Sequence, residues 1–200
     1  EVPMESDSGT VMVRVMEIKD GSTKTKEIIM EMPVRDGFLK WEGTGCLLAA
    51  VFERYGKGQA VGYGLVTGDC HKRGAVATSY AHDCHNILVA GANPADMKLA
   101  LNRVIEMQGG ICAASGGRLL TQVPLPLAGL LSPERPETLL AQLRAFLSDC
   151  ARMGFHHKDL MSFFTIMPLA VSPEIKCTDR GLVDVAHKRF LPLIEERRGS

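Results

Sequence analysis

The first third of the chain alternates apolar and polar residues with a period of two, which is the pattern of half-buried β-strands. Residues 11–19 (VMVRVMEIK) and 26–34 (KEIIMEMPV) both show it, and the turn-forming residues DGSTK separate them. This arrangement predicts two antiparallel strands joined by a loop. Residues 47–53 and 60–66 are further apolar runs on either side of a glycine-rich segment. We expect these runs to be strands, with the glycines at turns and bulges.

Two more apolar runs, residues 74–82 and 86–92, meet at the polar sequence His-Asp-Cys-His at residues 82–85, here called the tetrad. Both runs need burial, whereas an unpaired polar group inside the protein costs about 1 to 3 kcal/mol. We therefore expect the tetrad at one rim of a sheet, beside the glycine-rich turn at residues 56–64, with at least one imidazole partly accessible.

Helices are predicted in the second half of the chain. Asn93 and Pro94 form a capping signal before a helix that Gly109 ends. Ser132 opens a second amphipathic helix that ends at Gly154. The apolar faces of the two helices consist of Met97, Ala100, Leu101, Val104 and Met107, and of Leu139, Leu140, Leu143, Phe146, Leu147 and Cys150.

The remaining segments complete the expected secondary structure. Residues 110–124 read as a hairpin around SGG whose second strand ends at Pro124. A short apolar helix is expected at about residues 158–164, followed by loop, strand and turn over residues 167–185.

The clustering of strands before helices predicts an α+β fold. We expect mixed or antiparallel sheets packed with two to three amphipathic helices, in a single domain over residues 1–200 with flexible ends at about 1–9 and 194–200. A chain of this length buries enough surface to fold without disulfides or structural metal.

Composition excludes several functional classes. Lysine plus arginine equals aspartate plus glutamate at 23 each, which disfavours a nucleic-acid or anionic-membrane partner. No apolar run reaches the ~18 to 20 residues of a membrane span, and the first residues lack the charged-then-apolar order of a signal peptide. The six cysteines form no C-x-x-C pair and lie largely in apolar runs, which predicts reduced, packed thiols and a cytoplasmic protein.

The tetrad is the main candidate for chemistry. His82, Asp83 and His85 offer two imidazoles and a carboxylate within four residues, and His71 lies upstream. His82, Asp83 and His85 are candidate catalytic residues. The three histidines, His71, His82 and His85, are candidate metal ligands. In the alternative interpretation, one histidine packs locally while the other is solvated. Cys84 is a candidate nucleophile, although a packed thiol fits its surroundings better.

Four segments in register resemble the C-terminal domain of bacterial and archaeal adenine deaminases. They are KRGAVATSYAHDCHNILVAGAN, LNRVIEMQGG, VPLPLAGLLS and SPEIKCTDRGLVDV. The resemblance runs from about Val11 to Val185. It departs from the family pattern at Cys84, where the family has serine, and at Tyr55 and Gly56, where paired histidines are common.

The resemblance implies a link to amidohydrolases that convert adenine to hypoxanthine and ammonia. Their metal centre lies in a (β/α)8 barrel that precedes this domain, and such a barrel alone takes ~250 residues. None of the present residues resembles the His-x-His signature of that barrel. The expected cofactor, a divalent Mn, Fe or Zn ion, is therefore placed mainly on the barrel, and the isolated chain is expected to be inactive.

The first functional hypothesis is an accessory domain that closes the purine pocket of such a barrel, on the same or a separate chain. His82, Asp83 and His85 would then assist the substrate, a purine-like small molecule. An apolar face left without the barrel predicts self-association into a homo-oligomer. The candidate substrate-binding residues under this hypothesis are Lys72, Arg73, Ser79 and Asn86.

Two alternatives belong to other classes. The chain is either a free-standing purine-binding or regulatory module, or an independent metal-dependent hydrolase. The second alternative uses His71, His82, Asp83 and His85, because three side-chain ligands and a water satisfy an open zinc site.

Overall fold

A computed structural model describes residues 2–58, 60–70, 72–155 and 160–195, with only the backbone of residues 160–162. Over these residues the fold is α+β, as predicted, with one large and one small sheet. The strands are β1 (Ser8–Ile18), β2 (Thr25–Arg35), β3 (Phe38–Leu39), β4 (Leu47–Phe52), β5 (Val61–Gly68), β6 (Ala75–Thr78), β7 (Ile87–Gly91), β8 (Gly110–Ser115), β9 (Arg118–Pro124), β10 (Ile175–Thr178), β11 (Gly181–Asp184), β12 (Arg189–Leu191) and β13 (Ile194–Glu195). The helices are α1 (Pro94–Glu106), α2 (Pro136–Arg152) and α3 (Leu160–Ile166).

The large sheet is mixed. Its order is β3-β2-β1-β5-β4-β7-β6-β8-β9, and β13 adds to β1. The predicted β1–β2 hairpin is confirmed, with Ser8 opposite Arg35 and Ile18 opposite Thr25. The last four residues of β1 pair in parallel with β5, and Met12 lies opposite Glu195 of β13. The predicted hairpin of β8 and β9 is also confirmed.

Both faces of the central strands are buried, and a separate core lies on each face. Alternate residues of one strand enter different cores, so that Val76 packs on one side while Ala75 and Ala77 pack on the other. Helix α1 covers the second face with Trp41 nearby. Helices α2 and α3 and the small sheet cover the first face. This double covering explains why β4, β6 and β7 read as continuous apolar runs.

The small sheet, in the order β10-β11-β12, lies directly against β5. A side chain at Gly62 would overlap the backbone of Thr178, and one at Gly64 would meet Cys177 at 3.2 Å. The expectation that the glycines of this region serve turns and bulges is therefore wrong for these two, because they lie inside a strand and permit close approach of the small sheet. It holds for Gly56, which has a φ of 72°.

Helix α1 begins as predicted. The side chain of Asn93 accepts a hydrogen bond from the backbone N–H of Asp96 at 2.9 Å, and Pro94 is the first helical residue. The helix ends at Glu106, just before Gln108 takes a φ of 61°. The predicted end near Gly109 is therefore close to the observed one.

Helix α2 differs from its prediction in two respects. It begins at Pro136 rather than near Ser132, because Ser132 accepts a hydrogen bond from the N–H of Glu134 in a separate turn. Leu140 and Leu147 are exposed, although both were expected to face the core. The helix packs mainly on the edge strand β9, so only the narrow stripe that includes Phe146 and Cys150 reaches the core.

The ends of the chain are partly engaged in the sheet. The N–H of Leu39 donates to the carbonyl of Val2 at 3.0 Å, and Val2 is buried. Residues 196–200 and the first residues of the expected third helix, 158 and 159, lie outside the described part of the chain. Flexibility of the ends stays a prediction. None of the helices in the described residues is long and apolar enough to cross a membrane.

Candidate functional site

The tetrad lies in the turn that connects β6 to β7, at one rim of the large sheet. The N–H of His85 donates to the carbonyl of Ala81 at 2.7 Å and closes this turn. His85 itself has a φ of 49°, and the peptide bond between His82 and Asp83 is cis. The strand on each side is buried, so the chain reverses direction where the polar residues begin. The predicted position of the tetrad is confirmed.

Three rings gather at this rim and are here called the rim cluster: Tyr80, His82 and His85. The ring centroids of the two histidines are 5.8 Å apart, and the ring of Tyr80 lies 5.6 Å from that of His82. The side chain of His82 is 49 % exposed, which confirms the expected accessible imidazole. Its Nδ1 lies 3.6 Å from a carboxylate oxygen of Asp83. The structure therefore brings the three candidate catalytic residues together.

His85 is kept in its neutral form near neutral pH. Burial lowers the pKa of its imidazole, and the nearby charges of His82 and Arg54 lower it further. Its Nδ1 is buried, and no hydrogen bond reaches this atom within the described residues. A neutral imidazole with an unused ring nitrogen has either a donor or an acceptor to offer, depending on its tautomer.

The backbone of the tetrad turn is fixed by two side chains that follow β4. Nε of Arg54 donates to the carbonyl of His85 at 2.5 Å. The hydroxyl of Tyr55 donates to the carbonyl of Cys84 at 3.1 Å. Because both groups bind main-chain oxygens, they hold the turn without using the imidazoles. No local spacing in the sequence indicates this role for Arg54, because its partners are distant in the chain.

Ser79 and Asn86, two candidate substrate-binding residues, are buried at the base of the turn. Oγ of Ser79 donates to the carbonyl of Gly129 at 2.6 Å and accepts from the N–H of Gly110 at 2.8 Å. Oδ1 of Asn86 is buried, and no hydrogen bond reaches it from the described residues. The bonds of Ser79 favour a structural role, and substrate contact by either side chain stays a prediction.

A cavity of about 340 Å³ lies beside Ser79 and Arg54. It is bounded by the end of β4, the start of β7 and the end of α1, and its volume falls at the lower end of the range for small-molecule sites. The lining residues are Phe52, Glu53, Arg54, Ser79, Ile87, Val104, Ile105, Gln108 and Gly109.

The basic candidates Lys72 and Arg73 lie at the opposite end of β6 from the tetrad. The guanidinium of Arg73 donates to the carbonyl of Arg152 at 2.5 Å, and Nζ of Lys72 donates to the carbonyl of Gly68 at 3.4 Å. Four residues of extended strand, at about 3.3 Å per residue, separate them from the rim cluster. The structure does not bring these residues to the same site as the tetrad.

No group of three or more histidine, cysteine, aspartate or glutamate side chains is placed to hold a metal ion within residues 2–58, 60–70, 72–155 and 163–195. His71, the third candidate ligand, lies outside the described residues. Metal binding by this chain stays a prediction.

The cysteines are free, and five of the six are buried, as their apolar surroundings predicted. Cys84 is half-buried. Burial raises the pKa of its thiol, so the nucleophilic thiolate is disfavoured. This agrees with the interpretation of Cys84 as a packed thiol.

Comparison with known proteins identifies the family. The model of the adenine deaminase C-terminal domain matches residues 22–189. Adenine deaminase 2 of Shouchella clausii is 40 % identical over 192 residues, which are 96 % of this chain and 34 % of that protein. An adenine deaminase of Clostridium perfringens (strain ATCC 13124) is 38 % identical over 185 residues, 92 % of this chain and 33 % of that protein.

A third relative, the adenine deaminase of Staphylothermus marinus, is 36 % identical over 190 residues, 94 % of this chain and 31 % of that protein. The chain thus spans about a third of the length of these relatives. The matched residues 22–189 include strands β2 to β11, the three helices and the tetrad turn, and they leave out β1 and β13. The chain belongs to the family of adenine deaminase C-terminal domains.

Proposed function

We propose that this chain is the accessory domain of an adenine-deaminase-like hydrolase and that its rim cluster closes the purine pocket of an amidohydrolase barrel. Family membership and the greater length of the relatives support a catalytic domain as the partner. The observation that carries the proposal is the rim cluster itself. The carbonyls of Cys84 and His85 are held by Tyr55 and Arg54, no hydrogen bond from the described residues reaches Nδ1 of His85, and the side chain of His82 is half exposed.

The chemistry of the rim cluster suits a purine. Adenine presents ring nitrogens and an exocyclic amine along its edges, which are acceptors and donors for neutral imidazole. His85, neutral near pH 7, pairs with such an edge without the cost of desolvating a charge. The phenol ring of Tyr80, 6.3 Å from the ring of His85, adds an aromatic surface that excludes water.

The hydrolytic step belongs to the barrel. A divalent Mn, Fe or Zn ion bound there would supply the activated water that replaces the amine of adenine with oxygen and releases ammonia. The residues of this chain orient the purine and close the pocket. Asp83, whose side chain is 76 % exposed, has a carboxylate oxygen 3.6 Å from Nδ1 of His82 and offers hydrogen-bond acceptors at this rim.

The cavity beside Ser79 favours a second candidate function, a free-standing purine-binding or regulatory module. Its volume of about 340 Å³ is sufficient for a small ligand without any contribution from another domain. Titration of the isolated chain with adenine in a calorimeter separates the two functions. Saturable binding by the isolated chain supports the module, whereas the accessory domain requires the barrel for tight binding.

A chimera tests the accessory function. The part of Shouchella clausii adenine deaminase 2 that matches this chain is replaced by the present residues, and a second variant lacks that part altogether. We expect conversion of adenine to hypoxanthine and ammonia by the chimera, with a much lower kcat/KM in the truncated enzyme. Equal kcat/KM for the folded truncated enzyme and the chimera would contradict a role in closing the pocket.

A further inference from the structure

Arg54 links two surface segments that are far apart in sequence. From the end of β4, its Nε donates to the carbonyl of His85 in the tetrad turn at 2.5 Å, and its NH2 donates to the carbonyl of Ala128 at 2.6 Å. The guanidinium also lies 4.9 Å from the ring centre of Tyr55. The first two bonds span 31 and 74 residues of the sequence. One side chain therefore joins the tetrad turn to the segment around Ala128.

That segment, Leu127–Leu131, is here called the leucine loop. The N–H of Leu131 donates to the carbonyl of Leu127 at 3.1 Å, and the reverse bond measures 3.2 Å. The loop presents two large apolar side chains, with Leu127 51 % and Leu131 64 % exposed. It is thus a closed turn with an apolar outer surface.

Glycine at position 129 makes room for Arg54. Gly129 has a φ of 75°, which is a backbone conformation that favours glycine. A Cβ atom there would lie 2.7 to 2.9 Å from three atoms of the guanidinium. The hydroxyl of Ser79 donates a hydrogen bond to the carbonyl of the same glycine at 2.6 Å. The leucine loop is therefore held at two points, and only Arg54 among these contacts reaches the tetrad.

We propose that Arg54 is a positioning residue that couples the leucine loop to the rim cluster, so that a contact made at the loop changes the geometry of the imidazoles. The planar guanidinium suits this role because it bonds two carbonyls at once in a fixed geometry, which an ammonium group does not reproduce. The biological meaning rests on the proposed function: docking of the barrel on the leucine loop would set His82 and His85 against the purine.

The first test perturbs the coupling from the loop side, in the full 200-residue chain. Gly129→Ala introduces a methyl group against the guanidinium, and the three atoms nearest to that methyl group all belong to Arg54. Gly21→Ala is the matched control, because Gly21 has the same φ of 75° and nothing within 4 Å of its added Cβ atom. NMR spectra of histidine-labelled protein report the ring signals, which single His82→Asn and His85→Asn variants assign.

We expect Gly129→Ala to shift the ring signals of His82 and His85, while Gly21→Ala leaves them at their wild-type positions. No shift in the folded Gly129→Ala variant would overturn the proposal. Equal shifts in both variants would also overturn it, because the response would then be a general effect of strain.

The second test perturbs Arg54 itself and remains informative if Gly129→Ala does not fold. Arg54→Lys keeps the positive charge but loses the planar guanidinium that bonds two carbonyls at once. Arg73→Lys is the control, because the guanidinium of Arg73 bonds one carbonyl elsewhere in the structure. We expect faster hydrogen exchange of the Leu130 and Leu131 amides and shifted histidine signals only in Arg54→Lys. Unchanged hydrogen exchange and unchanged histidine signals in Arg54→Lys would contradict the proposed coupling between the leucine loop and the rim cluster.

The titration of His85 separates charge from geometry. Burial is the main cause of the lowered pKa of His85, and the charges of His82 and Arg54 lower it further, so Arg54→Met should move the titration midpoint of the His85 ring upward. Arg54→Lys should leave the midpoint close to that of the wild type while still moving the ring signals. A midpoint unchanged in Arg54→Met would contradict the observed proximity of the two groups. Since no barrel or substrate is present, these outcomes are independent of whether the accessory function is correct.

Discussion

At the scale of single residues, the polar groups of this chain divide into those that serve the fold and those that remain for a ligand. Ser79 and Lys176 belong to the first kind, because their side chains are fully buried and bonded inside the domain. His82 belongs to the second kind, because half of its side chain reaches solvent. The division predicts opposite responses to mutation.

Ser79→Ala should destabilise the chain by about 1 to 3 kcal/mol, because it leaves the buried N–H of Gly110 and the carbonyl of Gly129 without this partner. Urea unfolding measures the change, and Ser148→Ala on the exposed side of α2 is the control. A Ser79→Ala variant as stable as the control would show that the two bonds contribute little.

Lys176 predicts a pH dependence of stability. Burial lowers the pKa of its ammonium to about 8, and Nζ donates to two neutral oxygens, the carbonyl of Thr23 at 3.1 Å and the hydroxyl of Thr25 at 3.3 Å. The unfolded chain therefore holds this proton more tightly than the folded chain between about pH 8 and 10.5. The contribution of Lys176 to the free energy of unfolding rises with pH across that window.

Lys176→Met should remove this contribution. The variant's free energy of unfolding should exceed that of the wild type most at pH 7. This difference should shrink by roughly 2 to 4 kcal/mol as the pH approaches 10.5. Comparing the two proteins cancels the effect of the buried thiols, such as Cys70 with its pKa raised to about 11, which act in the opposite direction. An advantage independent of pH would contradict the assignment of the low pKa to Lys176. Lys26→Met, at an exposed position of β2, is the control.

At the scale of secondary structure elements, period and capping signals predicted most of the strands and the start of α1. They failed where the outcome depends on what packs against an element. The exposure of Leu140 and Leu147 follows from packing on an edge strand, which no local pattern reveals, whereas the later start of α2 follows from the turn at Ser132. The short strands β3, β12 and β13 were missed because two or three residues carry no detectable period.

The glycines of β5 give a prediction at this scale. Gly62→Ala places a methyl group against the backbone at Thr178, so the small sheet must move away from β5. We expect a loss of about 1 to 3 kcal/mol or more in urea unfolding, as for other overpacked positions. Gly58→Ala, whose nearest atom would lie 4.0 Å away, should have a much smaller effect. Equal effects would mean that the sheets are not in close contact.

At the scale of the whole molecule, the sequence predicted the place of the tetrad but not what surrounds it. The buried runs on either side required the polar residues to lie at a rim, and they do. Arg54 and Tyr55 meet the tetrad turn only through tertiary folding, across 31 and 29 residues, and Arg54 reaches the leucine loop across 74 residues. Side-chain bonds over such separations leave no signal in local spacing.

Exposed leucines on the leucine loop and on α2 predict that the isolated chain associates with itself. Sedimentation at several concentrations should give dimers or larger species, because no partner domain covers these side chains in the purified chain. Leu131→Ser should reduce the association. Leu120→Ser, which makes the same change at an exposed leucine of β9, is the control. A strictly monomeric wild type would favour a module that functions alone.

The central claim is that His82 and His85 serve a shared purine site rather than the fold, and the kcat/KM of the chimera for adenine tests it most directly. The double change His82→Asn/His85→Asn should lower kcat/KM by roughly 10-fold or more, since hydrogen bonds to the purine are lost. The melting temperature should stay nearly unchanged, because the side chain of His82 is half exposed and the backbone of the turn is held by Arg54 and Tyr55. An unchanged kcat/KM together with a lowered melting temperature would contradict the claim and assign both histidines to the fold.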